Sequence, residues 1–190
     1  MAAKRWTIRK HDHERVQQFA REIGVQPIVA ALLISRGYDT QEKADAFLRP
    51  SLEHLYDPFL LKGMREAVAR IQKAVQNGEK ILIWGDYDVD GTTGTVLLRR
   101  AFKLLGVESE FHVPDRFTEG YGVNIPALED AQRNGVSLVI TVDCGIRSFE
   151  PLEWAKENSL DVIVTDHHLS DDDRGNPPAV AVVNPNQPGC

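Results

Sequence analysis

Three short stretches of this sequence gather the residue types that hold hard metal ions. Asp86, Asp88 and Asp90 stand two apart in GDYDVDG (85–91), Asp143 opens Asp143-Cys144-Gly145, and Asp166-His167-His168 follow further on. Three carboxylates so closely spaced repel one another, which disfavours ionising all of them. Divalent cations relieve that repulsion. Oxygen donors with one or two imidazoles suit Mn²⁺ or Mg²⁺ better than a structural Zn²⁺ site, which favours cysteine. Two such ions roughly 3.5–4 Å apart activate water and clamp a phosphoryl oxygen. Metal-assisted hydrolysis of a phosphate ester is therefore the expected chemistry. Gly91 and the Thr92-Thr93 pair would add backbone donors at a helix N-terminus, where anions are favoured.

Each stretch alone has a plainer reading. An Asp-rich loop after a strand is often a polar turn with a helix cap. Asp143-Cys144-Gly145 resembles a common strand-end turn, and Asp166-His167-His168 alone reads equally as a solvated turn. Cys144 reads as a small buried thiol, since no Cys-His-Asn arrangement surrounds it. A fourth stretch, 114–122, carries Arg116, suited to a phosphate, and Tyr121, suited to stacking on a base. Its plain alternative is a glycine-hinged loop with Arg116 paired to Glu119. His11, His13, His54 and His112 have no ligand-like neighbours in sequence and read as surface or packing residues.

The elements that must position these groups follow from hydrophobic spacing. Residues 1–62 read as a helical N-terminal extension. Helical patterns run over 13–23 and 27–34, and a third, capped by Thr40, stops before Pro50. From 63 to 190 the pattern alternates. Helices are expected from Met64 through Val75, and over 93–105, 125–133 and 149–158. Strands are expected over 80–84, 108–113, 137–142, 162–164 and 180–183. Strands alternating with helices imply parallel units, and continuous Val/Ile/Leu runs imply strands covered on both faces. The expected fold is α/β, a parallel doubly wound sheet with a small helical N-terminal extension. In such sheets ligands bind beyond the carboxyl ends of the strands. The first, third and fourth strands run into the three acidic stretches, which makes their coincidence hard to attribute to chance.

Composition excludes several other classes. Of 190 residues, 42% are hydrophobic and 26% charged, which excludes a disordered or collagen-like chain. The formal charge of −6 argues against a basic module that coats nucleic acid, though not against a nuclease whose acids surround metal ions. Two cysteines are too few for a disulfide framework, which points to a reducing compartment. No apolar run approaches the roughly 18 residues of a membrane span, and 1–6 lack the apolar stretch of a signal peptide. A soluble cytoplasmic protein is expected.

At these residues the sequence resembles the DHH phosphoesterase superfamily, and within it the single-strand-specific 5′→3′ DNA exonucleases. The motifs are GDYDVDG (85–91), Arg116 with EGYG (119–122), VDCGI (142–146) and TDHH (165–168). Arg36-Gly37, Phe47-Leu48-Arg49-Pro50 and Asp57-Pro58 are similar too. The resemblance spans nearly the whole chain and implies two Mn²⁺ or Mg²⁺ ions. It implies Asp88, Asp143 and His167 on the first, Asp90 with Asp143 on the second, and Asp143 bridging. Asp86, Asp166 and His168 would stand nearby as ligands or orienting groups. Asp88, Asp90, Asp143, His167 and His168 would form the catalytic set. Arg116, Tyr121 and Gly122, with the backbone of Gly91, would hold the strand. Hydrolysis would release 5′-mononucleotides in DNA recombination and repair, with single-stranded DNA, single-strand-binding protein and a repair helicase as partners. Family members of this type run for several hundred residues, so the chain is expected to be an N-terminal part of a longer protein, its DHH domain incomplete at the C-terminus.

Two other functions compete. One is a DHH phosphodiesterase acting on oligoribonucleotides, dinucleotides or phosphoadenosine. Such relatives usually begin the first motif with a histidine, whereas this chain has Trp84-Gly85-Asp86. The other is a non-catalytic replication scaffold, a role that goes with eroded metal motifs; here the acids and histidines are intact.

Overall fold

The computed structural model describes residues 10–190 and divides them between Tyr56 and Asp57 into two separately packed units. The 1–6 stretch, read above for a signal peptide, lies outside the described residues. In the first unit, Asp12 caps α1 (His13–Ile23) by accepting from Glu14 N and Arg15 N, and Gly24 ends it at φ 70°. Thr40 caps α3 (Gln41–Leu48) as expected, through Lys43 N. Val16, Phe19, Ala20 and Ile23 of α1 pack with Ala30 and Leu33 of α2 (Pro27–Ser35) and with Ala44. The unit boundary lies before the 62/63 position expected from composition. Leu61 packs into the second unit's core, and Gln187 Nε2 donates to the Lys62 carbonyl at 3.1 Å.

The second unit is a five-stranded, all-parallel sheet of order β2-β1-β3-β4-β5. Its strands are β1 (Lys80–Trp84), β2 (Ser109–His112), β3 (Val136–Val142), β4 (Asp161–Thr165) and β5 (Ala181–Val183). Side chains alternate between the two faces. Leu82, Trp84, Val139, Val162, Val164 and Val182 meet Leu128 and Ala131 of α6 (Ile125–Arg133) and Leu152 and Ala155 of α7 (Phe149–Glu157). Ile81, Ile83, Leu138, Ile140, Ile163, Ala181 and Val183 meet Ala67 and Ala74 of α4 (Met64–Gln76) and Phe102 of α5 (Val89–Leu104). A register irregularity at Lys80/Ile81, opposite Val136 and Leu138, lets Val136 share a face with Val139. The doubly wound expectation holds, with the strand order reversing direction between β1 and β3. The chain crosses from β4 to β5 without a helix. One detail differs from the expectation: helix α5 begins at Val89, four residues before the expected start at 93, because Asp88 caps it. Among the described residues, no helix is long and apolar enough to cross a membrane.

Candidate metal centre

The point where the strand order reverses is where a doubly wound sheet opens a crevice. The ends of β1 and β3 meet there, and β4 lies beside β3. Asp86 leaves β1 with 3% exposure, and its Oδ1 has no hydrogen-bond partner. Asp88 accepts from Gly91 N at 2.9 Å through one oxygen. Gly91 is thus not a free donor for phosphate, contrary to the expectation. It is glycine because a Cβ there would lie 2.5 Å from Asp86 N. Asp90, exposed in the first turn of α5, reaches within 3.5 Å of His167 Nε2 through Oδ2.

Asp143 leaves β3 at φ 62°, the left-handed region that few non-glycine residues adopt and that clusters at functional sites. Its neighbours hold it there. Asp143 N donates to Thr165 O at 3.0 Å, Tyr121 OH donates to Asp143 O at 3.2 Å, and Thr141 Oγ1 donates to Cys144 O at 2.7 Å. His167 Nε2 stands 2.8 Å from Asp143 Oδ1, yet off the line of a hydrogen bond, so this buried oxygen also lacks a donor. Burial first, and then the charges of Asp90 and Asp88, push the Asp143 carboxyl up from its usual range. Among the described residues no lysine or arginine pairs with Asp86, Asp88, Asp90 or Asp143.

Asp166, after β4, is fully occupied. Its Oδ1 accepts from His167 N, His168 N and His168 Nδ1 at 2.7, 3.1 and 2.7 Å, and its Oδ2 from Ile146 N at 3.0 Å. It therefore aims the His168 ring and fixes the backbone of His167, and the two rings stack at 4.7 Å. The Asp166 hydrogen bond holds the His168 imidazole above its usual pKa against a smaller opposing effect of burial.

Two groups of donor atoms result, each within 4.8 Å: Asp143 with His167 and His168, and Asp86 with Asp88 and Asp143. Asp143 belongs to both, whereas Asp90 and Asp166 belong to neither. This grouping differs from the pairing that the resemblance implies. Tyr121 joins the centre through its bond to Asp143, and its phenol is pushed up by burial and then by the neighbouring carboxylates. Arg116 stands apart, its guanidinium 5.1 Å over the Tyr87 ring. The alternative pairing with Glu119 does not form, because Glu119 accepts from His112, Asp115 N and Asn124. Cys144 is buried with its thiol pushed up by burial, the inert form expected.

Sequence reasoning missed three contributors. Asn184 Nδ2 donates to His168 O, Asn186 Nδ2 donates to His167 O, and Tyr87 supports Arg116. The asparagines follow β5, so asking what the fifth strand runs into, as for the others, would have found them. Tyr87 carried no such signal beyond its place inside GDYDVDG.

Residues 80–190 match the DHH family, N-terminal domain. The single-stranded-DNA-specific exonuclease RecJ of Bacillus subtilis (strain 168) is 44% identical over 186 residues, which is 98% of this chain and 23% of that protein. RecJ from Thermus thermophilus, solved in complex with Mn²⁺, aligns with a TM-score of 0.67 and 32% identity, covering 93% of this chain and 24% of that one. An exonuclease RecJ bound to manganese aligns with a TM-score of 0.62 and 40% identity, covering 69% of this chain and 33% of that one. The chain spans about a quarter of the length of the curated relatives it matches.

Proposed function

The chain belongs to the DHH family, and on that premise we propose that it carries the metal-binding part of an exonuclease that hydrolyses single-stranded DNA from its 5′ end. The reading rests on the relatives named RecJ and on one observation above others. Asp86 Oδ1 and Asp143 Oδ1 are buried carboxylate oxygens with no donor, in a cluster with no lysine or arginine partner. Such oxygens are costly unless a cation fills the space before them. The donor set of carboxylates and imidazoles fits Mn²⁺ or Mg²⁺, and the two solved relatives aligned above are manganese complexes.

Asp143 would serve both ions, with His167 and His168 on one side and Asp86 and Asp88 on the other. Asp90 would face His167 from the first turn of α5. Two divalent ions supply, when bound, an activated water and a clamp on the scissile phosphate oxygens. Asp166 keeps the His168 imidazole aimed at the centre and fixes the backbone of His167. Tyr121, protonated throughout the physiological range, donates to the Asp143 carbonyl and holds that residue's unusual backbone. Arg116, exposed and backed by Tyr87, would take a neighbouring phosphate of the strand. A strand-coating protein and a strand-separating helicase are the partners such a substrate calls for, and the cytoplasm its compartment.

Calorimetric titration with Mn²⁺ tests the centre. The chain is expected to show saturable uptake that Asp143→Asn loses. Asparagine tolerates the left-handed backbone where alanine is strained, so the fold is kept. Undiminished uptake in that variant would overturn the shared role of Asp143. Labelled single-stranded DNA against dinucleotides, given to a longer protein containing this chain, tests the substrate.

A further inference from the structure

A cavity of about 580 Å³ opens beside the centre, with Asp166 and His168 in its lining. Tyr121, Ile146 and Leu169 give it apolar and aromatic walls. The bonds that build the centre also fix these walls. The Tyr121 hydroxyl is held on Asp143 O, and Ile146 N is held on Asp166 Oδ2. Arg147 pins the loop after His168 by donating from Nε to Leu169 O at 2.9 Å and from Nη2 to Ser170 O at 3.2 Å. Arg147 and Ser148 line the cavity, and Arg147 Nη1 and the Ser148 hydroxyl make no bond to another described residue. Pre-formed walls with a few free donors are the mark of a small-molecule site rather than of a packing defect.

We propose that this cavity receives the base of the nucleotide whose phosphate sits at the metal centre, a proposal that rests on the function proposed above. A base fits this lining better than a phosphate does. A phosphate would face the Asp166 carboxylate in the lining, whereas a neutral base stacks on Tyr121 and presents ring nitrogens and carbonyls to Arg147 and Ser148. Occupancy of the cavity has a consequence for specificity. A base inserted here is neither paired nor stacked in a duplex, so the cavity itself selects an unpaired strand end.

The test compares thymidine 5′-monophosphate with 2-deoxyribose 5-phosphate, which carries an anomeric hydroxyl in place of the base, by calorimetry on the Mn²⁺-loaded chain. The nucleotide is expected to bind about tenfold more tightly, the scale of one base stacked on an aromatic ring. Ser148→Phe fills the cavity, and no helix cap is lost, because the Ser148 side chain makes no capping bond at α7. That variant is expected to bind both ligands equally, at the affinity the parent shows for the sugar phosphate. Leu169→Ala, at an exposed wall position, provides a second variant and is expected to lose several-fold for the nucleotide alone. Equal affinity in the parent, or a base advantage that survives Ser148→Phe, would overturn the proposal. A chain that takes up no Mn²⁺ overturns the reading of the centre instead. The same pair of ligands, compared without the ion, then decides the cavity by the same criterion.

Discussion

Asp166 shows how much of this centre depends on a residue that belongs to neither donor group. Its two oxygens accept four hydrogen bonds, three of them from His167 and His168. Asparagine keeps the shape but brings an NH₂ group to face a donor, whichever way the amide turns. Asp166→Asn is therefore expected to weaken Mn²⁺ uptake about 10- to 100-fold, the usual cost of losing a group that orients a ligand. A proton titration followed by NMR on the metal-free chain separates orientation from simple damage. The Asp166 hydrogen bond and charge hold the His168 imidazole up, so in the variant its titration moves to lower pH. A variant that binds Mn²⁺ like the parent would show that Asp166 does not set the histidines. The residue types of the centre were legible from the sequence, because carboxylates and imidazoles at three strand ends have few other uses. Their grouping was not. Asp86, Asp88 and Asp143 meet across two loops, and sequence spacing carries no distance between loops.

At the scale of elements, the helix that follows β1 decides where Asp86 sits. Helix α5 comes against Asp86 so closely that only glycine fits at 91. Gly91→Ala forces a methyl group into backbone rather than into a flexible side chain. It is expected to cost about 1–3 kcal/mol by overpacking, read as a lower denaturant midpoint, and to weaken Mn²⁺ uptake as Asp86 is displaced. Unchanged stability would mean that the helix start relaxes freely. The same helix start marks the limit of what periodicity could show. The apolar stripe placed α5 at residue 93 onward, because 89–92 contribute little to the buried face. The cap that starts it four residues earlier is a single carboxylate bond, from Asp88 to Gly91 N. The central strands β1, β3 and β4 were legible, since their runs are apolar on both faces. Their order was not, because parallel neighbours are chosen by long-range packing. Yet that order is what brings the ends of β1 and β3 side by side.

Over the whole sheet unit, the two ends of the strands carry opposite electrostatics. The carboxyl ends hold carboxylates without lysine or arginine partners. At the amino ends, Arg70 of α4 reaches Glu79 before β1 and Asp161 at the start of β4, tying helix and sheet together. Burial alone would raise the Glu79 carboxyl, but hydrogen bonds from Arg70, Asn77 and Ser137, with the guanidinium charge, hold it below its usual range. A carboxyl depressed in the folded state contributes stability above its unfolded pKa, and that contribution is lost as pH falls through the folded value. The Asp143 carboxyl, raised by burial, works in the other sense. Its ionisation opposes folding at neutral pH, and that opposition is relieved as pH falls through its folded value. Arg70→Met is expected to cost about 1–3 kcal/mol at neutral pH, less than a fully buried pair because Asp161 is partly exposed. The gap between parent and variant then narrows as pH falls through the lowered folded value of Glu79, where the Arg70 partner loses its charge. Urea unfolding of the metal-free chain at pH 7 and pH 3 measures this. A gap of equal size at both values would show that Arg70 acts through packing of its stem. A narrowing gap would show that the amino ends of the strands are held by charge, while the carboxyl ends keep theirs uncompensated for cations.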